Sequence, residues 1–380
     1  MNIPAYSPKE QEITGNLKAS ASFLDMMASM NMPMPDSEPV YNRPITPREN
    51  LKRLLSGKTP YWLPYAEFGG FSTDDIRCFF PRQIPDNYVA HLCVDGGDSP
   101  CTYSSQVLTS SWFDLQWEFM PIAGGATVHP GNPKITDMSE WENSIHMPDL
   151  DAINWNEVRD MNKQYLNTEK FNMLNILTGP WERLMSLMDV ENAAMALIDE
   201  DQEEGLHRFF DAYCNFWDDY IGRVAECCNI DGVLMHDDWG HQNGPFFSHE
   251  VAKELLFPYL KRIVESCHKR GLFYEQHSCG RNETFIDLYI KAGVNLYCPQ
   301  DINDFDNILE QASGSELIIG VPFPNFSPDD DPAMIREEAE KWFAHYKKYR
   351  FASSSFIAHP VFSSTIYELS RKEYAQKPLK

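Results

Sequence analysis

From Tyr61 onward the chain alternates short apolar runs with longer stretches whose apolar positions recur every three or four residues. Runs of the first kind fit buried β-strands, and stretches of the second fit amphipathic helices. Taken in order, the strands are expected to end near Phe68, Phe119, Leu177, His236, Cys279, Cys298, Val321 and His359. Helical stretches separate most of these eight runs, and such alternation implies parallel strands joined by crossover helices. The expected fold class is α/β, a (β/α)8 TIM barrel.

Local signals sharpen parts of this outline. Thr46-Pro47 can open a short helix through Leu55, closed by Gly57, because Thr caps the free N–H groups and Pro fits the first helical position. Ser248 can cap a helix on which Val251, Leu255, Tyr259, Ile263 and Cys267 share a face, with a kink expected at Pro258. Gly271 ends that helix, and LFYEQHSCG reads as the next strand. Asp331-Pro332 opens another amphipathic helix, to about Tyr349. The aromatic, loop-rich stretch 78–145 is expected to hold hairpins or insertions over the barrel mouth. Lys9 to Met32 has helical spacing before a proline-rich break. Residues 1–45 are therefore read as an N-terminal helical extension, and 46–380 as the barrel domain.

Length and charge narrow the function. The 380 residues exceed an ordinary single domain but suit a barrel with insertions. Apolar residues make up 43% and charged residues 23%, a soluble globular composition. No apolar run approaches the roughly 18 residues that span a bilayer. The start, MNIPAYSPKEQEI, has no basic segment leading into an apolar one, so the cytoplasm is the expected compartment. A net charge of -24 disfavours nucleic acid and anionic membranes. It serves solubility first, and also suits a partner with a basic face. Nine scattered cysteines, an odd number, fit reduced thiols better than a disulfide framework.

In a barrel, chemistry collects at the C-terminal ends of the strands. Those ends carry Asp237, Asp238, Glu275, His277, Cys279, Cys298 and His359. In Glu275-Gln276-His277-Ser278-Cys279-Gly280, residues two apart project from one face of an extended chain. Glu275, His277 and Cys279 therefore point together, and imidazole with thiolate suits Zn²⁺ with one position left open. A buried strand end with a satisfied His and an inert Cys has the same spacing. Asp237 and Asp238, being adjacent, should face opposite ways, one into the cavity and one toward a loop or helix. An inward aspartate could bind substrate or give a proton to a leaving group. His236 and His241 read as packing or loop residues. Trp112, Trp117, Phe119 and Trp239 could wall an aromatic pocket, or simply pack core and lid.

The stretch DDWGHQNGPFFSHEVAKELLFPYLKRI followed by HSCG resembles the uroporphyrinogen decarboxylase superfamily. TPRENLKRLLSGKTPYWLPY, PDLDAINW, AGVNLYCPQD and FIAHP extend the resemblance, in order, over about 46–370. It is strongest to the zinc-containing, corrinoid-dependent methyltransferases, of methyl-ether or methylcobamide:thiol type. WLPYAEFGG stands where porphyrinogen decarboxylases carry an arginine-bearing motif, which disfavours that reaction. The resemblance implies a zinc held by His277, Cys279 and a third ligand near the last strand, His359 here, with Cys298 as the competing thiolate. Glu275 would complete the metal shell, orient His277 or supply a proton, and Asp238 or Asp237 would be the acid. The implied function moves a methyl group between a small donor or acceptor, a methoxylated aromatic being favoured, and the cobalt of a corrinoid (cobalamin). No corrinoid-binding region is evident in the sequence, so that cofactor is expected on a partner protein. A homodimer is compatible with this reading. A zinc-free decarboxylase or lyase, and a non-catalytic small-molecule-binding barrel, are the alternatives.

Overall fold

The computed structural model describes residues 3–18, 37–67, 77–80, 107–109, 112–120, 125–128, 130–166, 171–176, 178–355, 358–377 and 379. Eight strands form one parallel sheet: β1 (Tyr65–Glu67), β2 (Arg77–Phe80), β3 (Phe171–Ile176), β4 (Gly232–His236), β5 (Phe273–Ser278), β6 (Leu296–Pro299), β7 (Ile318–Pro322) and β8 (Phe351–Ser355). Their order is β1-β8-β7-β6-β5-β4-β3-β2, so β2 to β8 each lie beside their neighbours in sequence and β1 lies beside β8. The architecture is mixed α/β and barrel-like. Among the described residues, the two ends of the order, β1 and β2, are not paired with each other.

Helices α1 (Pro47–Leu55) and α2 (Trp155–Leu166) precede β1 and β3. Between β3 and β4 the chain makes α3 (Pro180–Met188), α4 (Val190–Ala196) and the long α5 (Glu203–Cys228). Single helices α6 (Phe257–His268), α7 (Ile286–Ala292), α8 (Phe305–Ala312) and α9 (Pro332–Tyr346) then link β4 through β8, and α10 (Pro360–Gln376) follows β8. The expected caps are present: Thr46 Oγ1 accepts from Glu49 N at 3.1 Å, Ser248 Oγ from Val251 N at 3.2 Å, and Asp331 Oδ1 from Ala333 N at 3.0 Å. At Pro258 the helix widens into a π-helical turn, Ala252–Leu256, before α6 begins. Proline has no N–H to give the carbonyl four residues back, and the wider turn absorbs that missing bond.

Side-chain alternation along the strands divides the core in two. Leu174, Val233, Met235, Tyr274, Tyr297, Ile319 and Val321 join the large apolar layer beneath the helices. The opposite faces turn toward α1: Phe171, Met173 and Leu234 pack on Leu51, while Leu296, Cys298, Ile318 and Ala352 pack on Leu54. Helix α1 is tied to the start of β4, because Asp231 accepts two bonds from Arg48 at 2.8 Å and pairs with Lys52 at 2.6 Å. This inner face carries Glu275 and His277 on β5.

Two expectations of position are corrected. The run ending near Phe119 is not in the parallel sheet; Gln116–Met120 is the middle strand of a separate antiparallel sheet with Val107–Thr109 and Gly125–Val128. The second parallel strand is instead the short Arg77–Phe80, whose four residues lack the length of a recognisable strand signal. The extension is not helical where it is described. After a single 3-10 turn, Pro8–Gln11, residues Ile13–Lys18 pair antiparallel with Ser37–Tyr41. Ile13, Thr14 and Gly15 are weak helix formers, and a strand partner distant in sequence satisfies their backbone. Residues 19–36 of the expected helix lie outside the described ones. No described helix is long and apolar enough to cross a membrane.

The extension is anchored by one buried ion pair. Glu10 accepts from Arg371 Nε at 2.7 Å and Nη2 at 2.8 Å, and from Tyr367 Oη at 2.6 Å. Burial alone would raise the Glu10 carboxyl, but the Arg371 and Tyr367 bonds outweigh it and hold it below the usual 4.5. A carboxyl lowered on folding contributes stability above its unfolded pKa and loses it as pH falls through the folded one. Glu10→Gln is therefore expected to cost about 3 kcal/mol at neutral pH in urea unfolding, since it leaves Arg371 buried and unpaired. The deficit should shrink as pH drops below 4.5, where the wild-type pair also weakens.

Candidate metal centre

The parallel register sets His277 of β5 beside His236 of β4 and Cys298 of β6. His277 Nδ1 lies 2.8 Å from the Cys298 carbonyl oxygen. A carbonyl only accepts, so Nδ1 carries the proton, and in the neutral ring Nε2 is the nitrogen left with a lone pair. That nitrogen lies 3.3 Å from Cys279 Sγ. Asp238, just beyond β4, accepts from the Cys279 backbone N–H through Oδ1 at 2.6 Å. One donor atom each from Asp238, His277 and Cys279 lies within 4.8 Å of the others, so the three can hold a metal ion.

The donor spacing can be tested against zinc. Tetrahedral bonds of ~2.0–2.1 Å to nitrogen and ~2.3 Å to sulfur put those two atoms about 3.5 Å apart. The observed 3.3 Å fits one shared ion. The histidine–carbonyl bond is also the outer support usual for a metal-ligating imidazole. Imidazole, thiolate and one carboxylate together suit zinc, with a fourth position open.

Cys279 lies past the end of β5, so the turn after it decides where the thiol points. Gly280 has φ +79°, and a Cβ there would sit 2.1 Å from the Gly240 carbonyl carbon. Only glycine allows both the backbone angle and the approach. Side-chain amides lock the turn: Asn282 Nδ2 donates to the Cys279 carbonyl at 2.6 Å and Asn303 Nδ2 to the Gly280 carbonyl at 2.8 Å, while Gln300 Oε1 accepts from Gly280 N at 3.0 Å. From the facing loop, Trp239 N donates to Ser278 Oγ at 2.9 Å.

Asp237 does different work from Asp238. Its Oδ1 accepts from Glu182 N at 2.9 Å and its Oδ2 from Trp239 Nε1 at 2.8 Å. It thus caps the start of α3, and Gly179 lets the chain pass, since a Cβ there would lie 2.4 Å from Asp237 Cβ. Burial pushes the Asp237 carboxyl up to about 7, partly offset by those N–H donors. Burial, then the carboxylates of Asp238 and Glu182, hold the Cys279 thiol well above its usual 9.0. A divalent cation at the three donors would reverse that balance.

Of the expected ligands, His277 and Cys279 come together, and His359 does not join them. Strand β8 ends at Ser355, and His359 instead caps α10, its Nδ1 accepting from Val361 N at 3.2 Å. Asp238 takes the third place among the described residues. Cys298 contributes its carbonyl, while its sulfur packs over Gly320, where a Cβ would come within 2.5 Å of it. Glu275 is buried on the inner face below His277 and outside the donor group. Glu182 was not anticipated: its Oε2 is sealed from solvent without a hydrogen-bond partner, and burial, then Asp238 and Asp237, raise its carboxyl well above 4.5. Its only sequence signal is its place in the first turn of the helix after β3. Trp112 packs against Phe216 and Tyr220 of α5, and Trp239 against Phe247 and Phe285, so both are core residues. The side chains of Trp117 and Phe119 lie outside the described ones.

This fold is shared with a methyltransferase from Methanosarcina mazei, which superposes with a TM-score of 0.53 at 12% identity over 87% of this chain and 99% of that one. At that identity the likeness shows the fold alone. An endo-β-1,4-xylanase from Gloeophyllum trabeum (TM-score 0.34, 12% identity, 58% of this chain and 82% of that one) and a chitinase from Chromobacterium violaceum (0.32, 8%, 58% and 86%) superpose too loosely to carry an argument. No protein-family model and no curated protein matches the chain.

Protein purified without chelator is expected to carry about one zinc per chain by elemental analysis. Asp238→Ala should weaken zinc binding by more than about 100-fold, beyond the usual loss of an outer support. His359→Ala should keep its zinc and lose about 1 kcal/mol of stability as a helix cap. Zinc lost from His359→Ala and retained by Asp238→Ala would return the third place to the histidine.

Proposed function

We propose that this chain is a zinc-dependent methyltransferase that passes a methyl group between a small methylated substrate and the cobalt of a corrinoid carried by a partner protein. The observation that carries the reading is the Asp238–His277–Cys279 donor group at the strand ends, with nitrogen and sulfur spaced for one ion. The barrel-like fold shared with the Methanosarcina mazei protein and the ordered motif resemblance support it. A metal held by Asp238, His277 and Cys279 would supply Lewis acidity toward the oxygen, sulfur or nitrogen that bears the methyl group.

The residues prepare that site. The Cys298 carbonyl fixes the His277 tautomer, and the Gly280 turn brings Cys279 back toward the imidazole. The Cys279 N–H orients the Asp238 carboxylate. A carboxylate that binds a metal is ionised, so Asp238 is not the acid that protonates a leaving group. Asp237, committed to the α3 N-terminus and the Trp239 indole, is a positioning residue. With Trp112 and Trp239 both in the core, aromatic walls for the substrate are not drawn from them; a methoxylated aromatic remains the first substrate to try.

The purified zinc protein should be given reduced cobalamin as acceptor and a panel of methyl ethers, thioethers and methylamines, with methylcobalamin followed by its absorbance. One donor class is expected to react. His277→Ala and Cys279→Ser should lower its rate by at least about 10²–10³-fold, the scale of losing one preorganised electrostatic group. Unchanged rates in both variants, or turnover only as decarboxylation, would overturn the proposal.

A further inference from the structure

Outside the metal centre, two thiols stand together at the C-terminal end of α5. Cys227 Sγ and Cys228 Sγ are 3.2 Å apart, on adjacent residues. Side chains one residue apart diverge on a regular helix, yet these two sulfurs meet in its last turn. Cys228 is the last helical residue, and Asn229 follows in the left-handed region at φ 48°. The two sulfurs differ in surroundings. Cys227 is half-buried and can be reached from solvent, whereas Cys228 is fully buried behind it.

Their chemistry is also unequal. Hydrogen bonding from Cys228 lowers the Cys227 thiol from its usual 9.0 despite partial burial, with the Arg159 guanidinium of α2 helping and Glu226 opposing. Cys228 is pushed up by that same bond and by burial. Burial raises the thiols of Cys214, Cys267 and Cys279 as well. Thiolate character with access selects the thiol that an oxidant attacks.

We propose that Cys227 and Cys228 form a redox-active dithiol that hydrogen peroxide converts to a vicinal disulfide, Cys227 attacking and Cys228 resolving. The Cys227 thiolate attacks one peroxide oxygen and the O–O bond breaks. The displaced hydroxide takes up a proton and leaves as water, and Cys227 becomes a sulfenic acid. The Cys228 sulfur then attacks the Cys227 sulfur; the S–O bond breaks, and the hydroxyl leaves as water with the Cys228 proton. Two thiols lose two electrons in all, and one peroxide is reduced to two waters. Closing the ring requires the joining peptide to leave helical geometry. That loss is confined to the last turn of α5, because the helix already ends at Asn229.

The experiment treats the full chain with equimolar hydrogen peroxide and maps its peptides by mass spectrometry. A Cys227–Cys228 peptide lacking two hydrogens is expected, restored by dithiothreitol and formed at least about ten-fold faster than any change at Cys214 or Cys267. Cys228→Ser should stop at a sulfenic acid on Cys227 that dimedone traps, and Cys227→Ser should leave Cys228 a free thiol. Wild-type mapping stands alone if either variant fails to fold. Cys227 passing to sulfinic acid while Cys228 stays free would overturn the proposal. So would a pair still reduced after Cys214 and Cys267 have reacted.

Discussion

The approach of two backbones at Gly240 and Gly280 constrains everything at the site. A Cβ on Gly280 would sit 2.1 Å from the Gly240 carbonyl carbon, and one on Gly240 would meet the Arg281 carbonyl at 2.7 Å. Because neither residue has a side chain, the loop after β4 and the turn after β5 lie against each other. That contact lets the Cys279 N–H reach Asp238 and turns the Cys279 sulfur back toward His277. A substitution at either glycine would separate the donors without touching one of them.

The same crowding sorts the carboxylates. Three of them, Glu182, Asp237 and Asp238, meet where β3 and β4 end, and isolated buried charges are costly. Asp237 is accommodated by backbone and indole N–H groups at the start of α3. Burial, then its two acidic neighbours, raise the Glu182 carboxyl well above 4.5. Asp238 is left facing a nitrogen and a sulfur, an arrangement in which a bound cation would offset the accumulated negative charge. The accumulated charge and the 3.3 Å donor spacing are separate features that both suit a cation.

Much of this was legible in the chain. The runs that become β3 to β7 are bounded in sequence to within a few residues, and Thr46, Ser248 and Asp331 announced their helices through capping chemistry that is local. The His277-x-Cys279 pair followed from strand periodicity, although the cysteine reaches its place by a turn. What failed depended on contacts distant in sequence. Which of Asp237 and Asp238 faces the donors is set by where Gly179 and α3 pass, and no local pattern records that. The extension pairs Ile13–Lys18 with a strand beginning at Ser37, so its helical spacing was outweighed. His359 could have been read correctly: a polar residue before proline opens α1 at Thr46-Pro47 and α9 at Asp331-Pro332, and His359-Pro360 opens α10 in the same way.

Whether Asp238, His277 and Cys279 hold one ion between them can be read from X-ray absorption at the zinc edge of the purified protein. A single sulfur scatterer at about 2.3 Å is expected, with the other directly bound atoms nitrogen or oxygen near ~2.0–2.1 Å, one of them carrying the outer-ring signature of imidazole. Two sulfur scatterers would bring in the Cys298 thiolate, and two imidazoles would bring in a second histidine. Either result would contradict the assignment of Asp238.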